Sequence, residues 1–353
     1  MGARRRGRET ALKILYSMDL NPGPAQDVCK RAQEWGQIPA NSKQFALELV
    51  EGTLERLDAI DGLIRDASLK WEIGRMAAVD RNVLRLAVSE LTAGKGIPVR
   101  VILDEAIELA KKYGYEGIEP RAQAEHKHGV EITAGREKRK EIKKVFEDSG
   151  IECACIATGL KYCLTDRVKR QEYIDTTRKF IDLASDIGCK RLRVFGGNPD
   201  KEITAAEGIE IVGEALVELK KDAEEKQVCL CLETHDFFSR ADVAAPAVRL
   251  AESPYVRINW DIMHPYTRNM TIEEAFAEVK DLVSHCHIHD GTYDKARRPK
   301  LALMGQGEIP YNTAVRLLQK MGYEGYLSGE YISAWPPEVV LPNDIEVLRS
   351  YMA

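Results

Sequence analysis

The sequence predicts an all-α helical bundle followed by a parallel α/β barrel, and three observations carry that reading. Through residue 113 the apolar residues recur at helical spacing, with hardly a convincing strand. After Gly114 the pattern changes to strand–helix alternation over seven units, which builds a closed parallel barrel rather than a doubly wound sheet with a Gly-rich first turn. Charge and histidine divide at the same place. Residues 1–112 carry 18 Lys and Arg against 16 Asp and Glu, the remaining 241 carry 33 against 40, and all seven histidines lie in the second part.

A chain of 353 residues, 44% apolar, suits two domains with full cores. It has no apolar run of about 18 residues, and its arginine-rich N-terminus has no apolar core, so neither a membrane span nor a signal peptide is expected. Eight cysteines are scattered, several within apolar strands, as befits reduced core thiols in a cytoplasmic protein. Cys153/Cys155 and Cys229/Cys231 are spaced for one strand face, not for a zinc knuckle.

In chain order, Arg4, Arg5, Arg6 and Arg8 precede a helical pattern that opens at Glu9. Clustered arginine at a helix start suits phosphate contact, with RNA the ligand of a flexible basic arm; a solvated tail is the plainer alternative. Leu12, Ile14, Leu15, Met18 and Leu20 continue that helix until Asn21-Pro22-Gly23-Pro24 ends it. Further helices read over 42–68, 77–93 and 103–113, with a break near residues 94–98.

The second part opens with a short strand over 115–120 that presents Glu119, then a polar segment with His126 and His128. A charged helix over 135–148, strands over 151–158 and 191–197, and helices over 167–187 and 204–226 follow. Four more strands each end in a candidate ligand. Residues 228–235 present Glu233, 256–264 present Asp261, and 325–330 present Glu330, while His285, His287 and His289 share one face of 284–290. Glu233, Asp261, His287 and Glu330 are separated by 28, 26 and 43 residues, about one strand-plus-helix unit each, the last with a long loop. One such acid is ordinarily a solvated strand end. Four inward-facing ligands in order make a site for one divalent ion, with Mn²⁺, Mg²⁺ or Co²⁺ favoured over Zn²⁺ by the oxygen-rich set. An ion there would acidify a C–H lying between two substrate oxygens bound to it, and Glu233 and Glu330 are the candidate bases to remove and return that proton. The sequence does not choose among epimerisation, isomerisation and dehydration.

Two resemblances sharpen these expectations. The stretches Arg4 to Tyr16 and Val79 to Leu91 resemble the signature stretches of the NusB transcription antitermination family, and residues 97–114 resemble its next helix. That implies binding of single-stranded antiterminator RNA with a ribosomal protein as co-partner, through Arg4, Arg5, Arg6 and Arg8. The family's final helix, due after Gly114, is missing.

The second part resembles the xylose-isomerase-like TIM-barrel superfamily. The residues that carry the likeness are Gly117-Ile118-Glu119-Pro120-Arg121, Leu232-Glu233-Thr234-His235, Trp260-Asp261-Ile262-Met263-His264, His285 to Gly291, Gly305-Gln306-Gly307 and Ser328-Gly329-Glu330. The resemblance implies a sugar isomerase or epimerase with Glu233, Asp261, His287 and Glu330 on the metal, His264 on substrate, and Glu119 and His289 beside it. His289 stands where the family usually has Lys or Asn. The family's first barrel strand is also missing, and both deficits fall at residues 104–114, which fit the late helix of one family and the first helix of the other.

The expected organisation is therefore 1–112 as the helical RNA-binding domain and 113–353 as a barrel without its own first strand, joined as a fusion. Residues 98–103 could stand in as that strand by composition. Otherwise the Glu330 strand keeps an open edge, with weak activity and self-association to follow. The alternatives are an antitermination protein with an inert barrel, an inosose-type dehydratase, and an endonuclease IV-like enzyme. The last would need additional histidines where Glu119 and Thr158 stand.

Overall fold

In the computed structural model, which describes residues 3–20, 28, 35–67, 73, 76–92, 99–123, 128–293, 299–331 and 334–352, the chain divides into two compact units, Met1–Pro98 and Val99–Ala353. Residues 21–24 and 94–98, His126, and the side chains of Arg4 and Arg5 lie outside the described residues. Among the described residues no helix is long and apolar enough to cross a membrane.

The first unit holds helices α1 (Ala3–Leu20), α2 (Ala40–Leu54), α3 (Leu57–Ala67) and α4 (Ala78–Thr92), with a 3₁₀ turn at Trp35–Gln37. Ala11, Ile14 and Leu15 fall on one face of α1 and bury against Ala46, Leu49 and Val50 of α2 and Leu86 of α4. The single helix expected over 42–68 is broken between α2 and α3. There the Arg56 guanidinium turns back to donate to the Gly52 carbonyl and to Ser89 of α4. Asp19 accepts from Arg81 and Asn82 at 2.8 Å each, and Arg85 pairs with Asp61 at 2.6 Å, so carboxylates of α1 and α3 tie down α4. Arg4 to Arg8 lie within the first turns of α1 rather than on a flexible arm, and Arg8 pairs with Glu90 at 2.8 Å.

The second unit opens with α5 (Val99–Tyr113). Residues 99–103 are thus the first turn of a helix and do not replace the missing strand. The reason is packing: Leu103, Ile107 and Ala110 form a stripe at helical spacing that is buried in this unit. Next come β1 (Gly117–Ile118), α6 (Arg136–Ser149), β2 (Glu152–Cys153), β3 (Ile156–Lys161), α7 (Arg167–Ile187), β4 (Arg191–Phe195), α8 (Ala205–Lys226) and β5 (Cys229–Glu233). They are followed by α9 (Ala241–Arg249), β6 (Val256–Asp261), α10 (Met263–Thr267), α11 (Ile272–Val279) and β7 (Val283–Ile288). The hairpin β8 (Asp290–Tyr293) and β9 (Pro299–Ala302), α12 (Tyr311–Lys320), β10 (Leu327–Gly329) and α13 (Pro337–Met352) complete the chain.

Strands β3, β4, β5, β6, β7 and β10 form one parallel sheet in that order, and β1 pairs parallel with β2. The strand expected over 151–158 is split into β2 and β3, and Arg121 bridges to Ala157, so β1 and its continuation run along both pieces. This is a parallel barrel short of a strand: among the described residues none lies between β1 and β10. Tyr326, just before β10, reaches that seam. A Cβ on Gly117 would stand 2.8 Å from the Tyr326 ring and 3.2 Å from Ala154, so the missing side chain of β1 is what lets the ring approach.

Two features were not expected from sequence. The β8–β9 hairpin occupies the long interval before β10, and Asp290, the first residue of β8, accepts from the backbone N–H of Gly291, Gly305 and Gly307 at 2.8–2.9 Å. A Cβ at Gly307 would overlap the Asp290 carboxylate, which explains the Gly305-Gln306-Gly307 motif by close approach. Elsewhere the signals are conventional: capping boxes start α8 at Thr204/Glu207 and α11 at Thr271/Glu274, and left-handed glycines end α6 and α7.

Removing the seam ring should be costly. Tyr326→Ala is expected to lower the unfolding free energy by about 2 kcal/mol, read by urea denaturation, and to increase self-association in sedimentation. Unchanged stability and unchanged sedimentation would mean that the open edge is sealed in some other way.

Candidate metal centre

Inward-facing residues alternate along each strand, so the last inward position of each of four adjacent strands points at one place. Glu233 closes β5, Asp261 closes β6, His287 is the penultimate residue of β7, and Glu330 follows β10. One donor atom from each of these four falls within 4.8 Å of the others. Glu233, Asp261 and His287 are fully buried, while Glu330 keeps 26% of its side chain exposed at the open end.

The hydrogen-bond pattern fixes which atoms are free. His287 Nε2 donates to Glu119 Oε1 at 3.0 Å, which turns Nδ1 toward Glu330 Oε2 at 3.2 Å and Glu233 Oε1 at 3.5 Å. That Nδ1 and both Glu233 oxygens have no hydrogen-bond partner although they are buried. Buried carboxylates do not gather in a dry interior unless something positive sits among them. In the metal-free protein that role falls to protons and to one arginine. Burial alone would push the His287 imidazole down, but Glu119 and Glu233 hold it well above its usual range. Burial likewise opposes the Glu330 charge, yet His287 and then Arg193 bring its pKa down to about 2. Asp261 is lowered too, against its burial, chiefly by His289 and His264.

Arg193 is the residue that sequence reasoning missed. It lies almost fully buried on β4 and places Nε 2.9 Å from Glu233 Oε2 and Nη2 3.5 Å from Glu330 Oε1, while Nη1 donates to the Thr158 carbonyl. Its guanidinium also stacks 4.1 Å over the Phe195 ring. The available signal was the alternation Arg191–Arg193 inside an otherwise apolar strand.

The remaining expected residues divide between the mouth and the interior. His264 is 20% exposed, with Nε2 3.7 Å from Asp261 Oδ2, and it packs edge-on to His235 at 4.3 Å between centroids. His289 donates to Asp261 Oδ2 at 2.7 Å and so supports that carboxylate. Glu119, expected beside substrate, instead has both oxygens engaged by the imidazoles of His285 and His287, at 2.8 and 3.0 Å. Burial opposes its charge, but those two histidines hold it well below the usual carboxylate range. Thr158, at the end of an early strand, spends its hydroxyl on the Arg193 carbonyl.

Fold and site together define a parallel barrel whose strand ends bring together four residues that could hold one cation, preceded by an all-helical unit. Comparison with known proteins gives both parts a family. Residues 107–351 match the family model described as xylose isomerase-like TIM barrel, and residues 5–119 match the NusB family. A transcription antitermination protein NusB from Desulfitobacterium hafniense is 44% identical over 117 residues, which cover 32% of this chain and 78% of that relative. Among solved structures, the IOLI protein with a bound zinc atom is similar at a TM-score of 0.60 and 17% identity, covering 72% of this chain and 94% of that one. A xylose isomerase-like TIM barrel protein from Mycobacterium smegmatis in complex with magnesium gives 0.57 and 18%, covering 73% and 92%. The 3-keto-D-glucoside 4-epimerase from E. coli gives 0.57 and 16%, covering 72% and 95%. The chain belongs to the xylose isomerase-like TIM barrel family through its second unit and to the NusB family through its first.

Replacing Arg193 tests the charge balance. Arg193→Met is expected to destabilise the metal-free protein by about 3 kcal/mol, because two carboxylates lose their buried partner. Added divalent metal should recover part of that loss in thermal unfolding. A variant as stable as the parent would show that the guanidinium is not needed to hold those carboxylates.

Proposed function

We propose that the barrel is a divalent-metal-dependent isomerase or epimerase acting on a keto-sugar or related polyol, and that the helical unit binds single-stranded RNA. The observation that carries the first part is the convergence of Glu233, Asp261, His287 and Glu330, with His287 Nδ1 and both Glu233 oxygens buried and met by ion pairs but by no well-formed hydrogen bond. Three carboxylates and one imidazole fit a hard divalent ion of the Mn²⁺, Mg²⁺ or Co²⁺ kind. Three negative charges, a dication and Arg193 sum to neutrality, which suits a buried site. An ion held there would polarise a ketose carbonyl and its neighbouring hydroxyl and make the C–H between them acidic.

The chain's own groups then divide the work. Glu330, at the open end, and Glu233, across the site from it, are the bases that take and return the proton. Arg193 touches both, and together with His287 it favours the charged form of Glu330. His264 and His235 line the mouth and are placed to hold substrate hydroxyls. Return of the proton to the opposite face gives epimerisation, and return to the adjacent carbon gives isomerisation. The 3-keto-D-glucoside epimerase among the structural neighbours favours proton transfer beside a sugar carbonyl.

Elemental analysis of protein prepared without chelator should find this ion, and Glu233→Gln or His287→Ala should remove it along with metal-dependent ketose turnover. A native-like barrel that takes up no divalent metal at this site would sink the assignment. The pH dependence has a definite sign. In the metal-free protein His287 carries a proton that the ion must displace. Affinity should therefore rise about tenfold per pH unit below the raised His287 pKa and level off above it. Titration calorimetry at several pH values reads this, and a pH-independent affinity would exclude Nδ1 as a ligand.

For the helical unit, Arg4, Arg5, Arg6 and Arg8 start α1, where the dipole already disfavours positive charge, so an anion there is favourable. Similarity to antitermination proteins points to antiterminator RNA, with a ribosomal protein as co-partner. Binding to a short single strand should weaken with salt at a slope of about −0.7 per phosphate contacted. Arg5→Ala with Arg6→Ala should weaken it at least tenfold in a filter-binding or anisotropy assay. Indifference to salt and to both changes would reduce these arginines to a solvated helix end.

A further inference from the structure

The proposed ligand set leaves a second group of donors in the barrel unused. His285 lies two residues before His287 on β7, so its side chain occupies the next layer of the interior, toward the N-terminal ends of the strands. Cys155 lies between β2 and β3, and Glu119 directly follows β1. These three residues come from neighbouring and facing walls, and one donor atom of each falls within 4.8 Å of the other two. Cys155 and His285 are fully buried. His285 Nε2 stands 2.8 Å from Glu119 Oε2, and its other nitrogen, Nδ1, is buried with no hydrogen-bond partner. Either neutral tautomer is therefore poorly served. A proton on Nε2 leaves a bare Nδ1 in a dry interior, and a proton on Nδ1 turns a lone pair on Nε2 toward a carboxylate. The hydrogen bond between imidazole and carboxylate also gives no reason for a thiol beside them.

We propose that Glu119, Cys155 and His285 form a second metal site in the barrel interior, suited to a borderline cation of the Zn²⁺ class. The donor set supports that choice. Sulfur, imidazole nitrogen and a single carboxylate oxygen favour zinc or cobalt(II), whereas the three-carboxylate set above them favours harder ions. Charge balances as well. Binding of M²⁺ releases the Cys155 thiol proton to solvent, and thiolate, carboxylate and dication then sum to zero, as a buried site requires. His285 stays neutral, with its proton on Nδ1 and Nε2 on the metal, so the ion removes the conflict between the Nε2 lone pair and the Glu119 carboxylate, while Nδ1–H stays buried. Glu119 would serve both centres, through Oε2 on this ion and through Oε1 as acceptor of the His287 Nε2–H, which holds His287 Nδ1 toward the upper set.

Cobalt reports thiolate ligation directly, so the test uses Co²⁺ alone on the full chain. Wild-type protein loaded with Co²⁺ should show a sulfur-to-cobalt charge-transfer band in the near ultraviolet. Cys155→Ser and Cys155→Ala should each lose the band and one of two metal equivalents. Cys229→Ser, a change of a thiol on β5, should keep both. Glu233→Gln should lose the other equivalent and keep the band, so failure of the upper site and failure of this one are read separately. A folded, cobalt-loaded wild type without the band overturns the proposal even if neither Cys155 variant can be purified. A band that survives in a Cys155 variant overturns it too, and leaves Glu119 and His285 as a hydrogen-bonded pair.

Discussion

The barrel interior is organised around a problem of like charge. Glu233, Asp261 and Glu330 are brought within a few ångströms of one another by β5, β6 and β10 of one sheet, with β7 between the last two, and two of the three acids are wholly screened from water. Left alone, such a set would hold protons or push the strand ends apart. The chain answers with cations supplied from other strands. Arg193 on β4 reaches Glu233 and Glu330, His287 on β7 stands between the same two, and His289 braces Asp261. Each of these contacts crosses between strands, so the electrostatics of the site and the closure of the sheet depend on each other.

Glu119 extends that dependence across the open seam. It belongs to the β1 side, whereas His285 and His287 belong to β7, whose neighbour β10 forms the opposite edge. A buried carboxylate with two imidazoles is therefore a polar clamp over the place where backbone pairing is interrupted. Tyr326 against Gly117 is its apolar counterpart at the start of β10. Backbone hydrogen bonds lost with a missing strand are replaced in part by side chains, at the cost of demanding a glycine at 117 and an ionised acid at 119.

Much of this was legible in the sequence. Period-two alternation located β7, apolar runs ending in an acid located β5 and β6, and their spacing placed Glu233, Asp261 and His287 at equivalent strand ends, because pleat and barrel closure leave little freedom. Three things were not legible. Arg193 was not singled out within the strand over 191–197, since nothing local says that a strand arginine will meet two acids far along the chain. Glu119 was seen as an acid at a strand end, and only the fold shows that β7 takes both its oxygens. Residues 99–103 are rich in β-branched side chains and read equally as strand, but the stripe from Leu103 to Ala110 decides for helix through tertiary burial, which no local preference reveals.

The junction follows from the same rule that an apolar face can be buried only once. The two family models overlap over residues 107–119, so α5 from Ile107 onward and β1 are claimed by both. In the structure α5 commits its buried stripe to the second unit: Leu103 joins the barrel core, and Ile107 and Ala110 pack on Ile151. A helical bundle that ended in this segment would need that stripe for itself. The first unit thus closes its core with α1, α2 and α4 and leaves Leu63, Val79 and Val83 about half exposed. Shared sequence is therefore not shared structure here. The barrel obtains a helix that begins its outer layer in the proper place, and the bundle keeps the contacts that α1 to α4 can make without it.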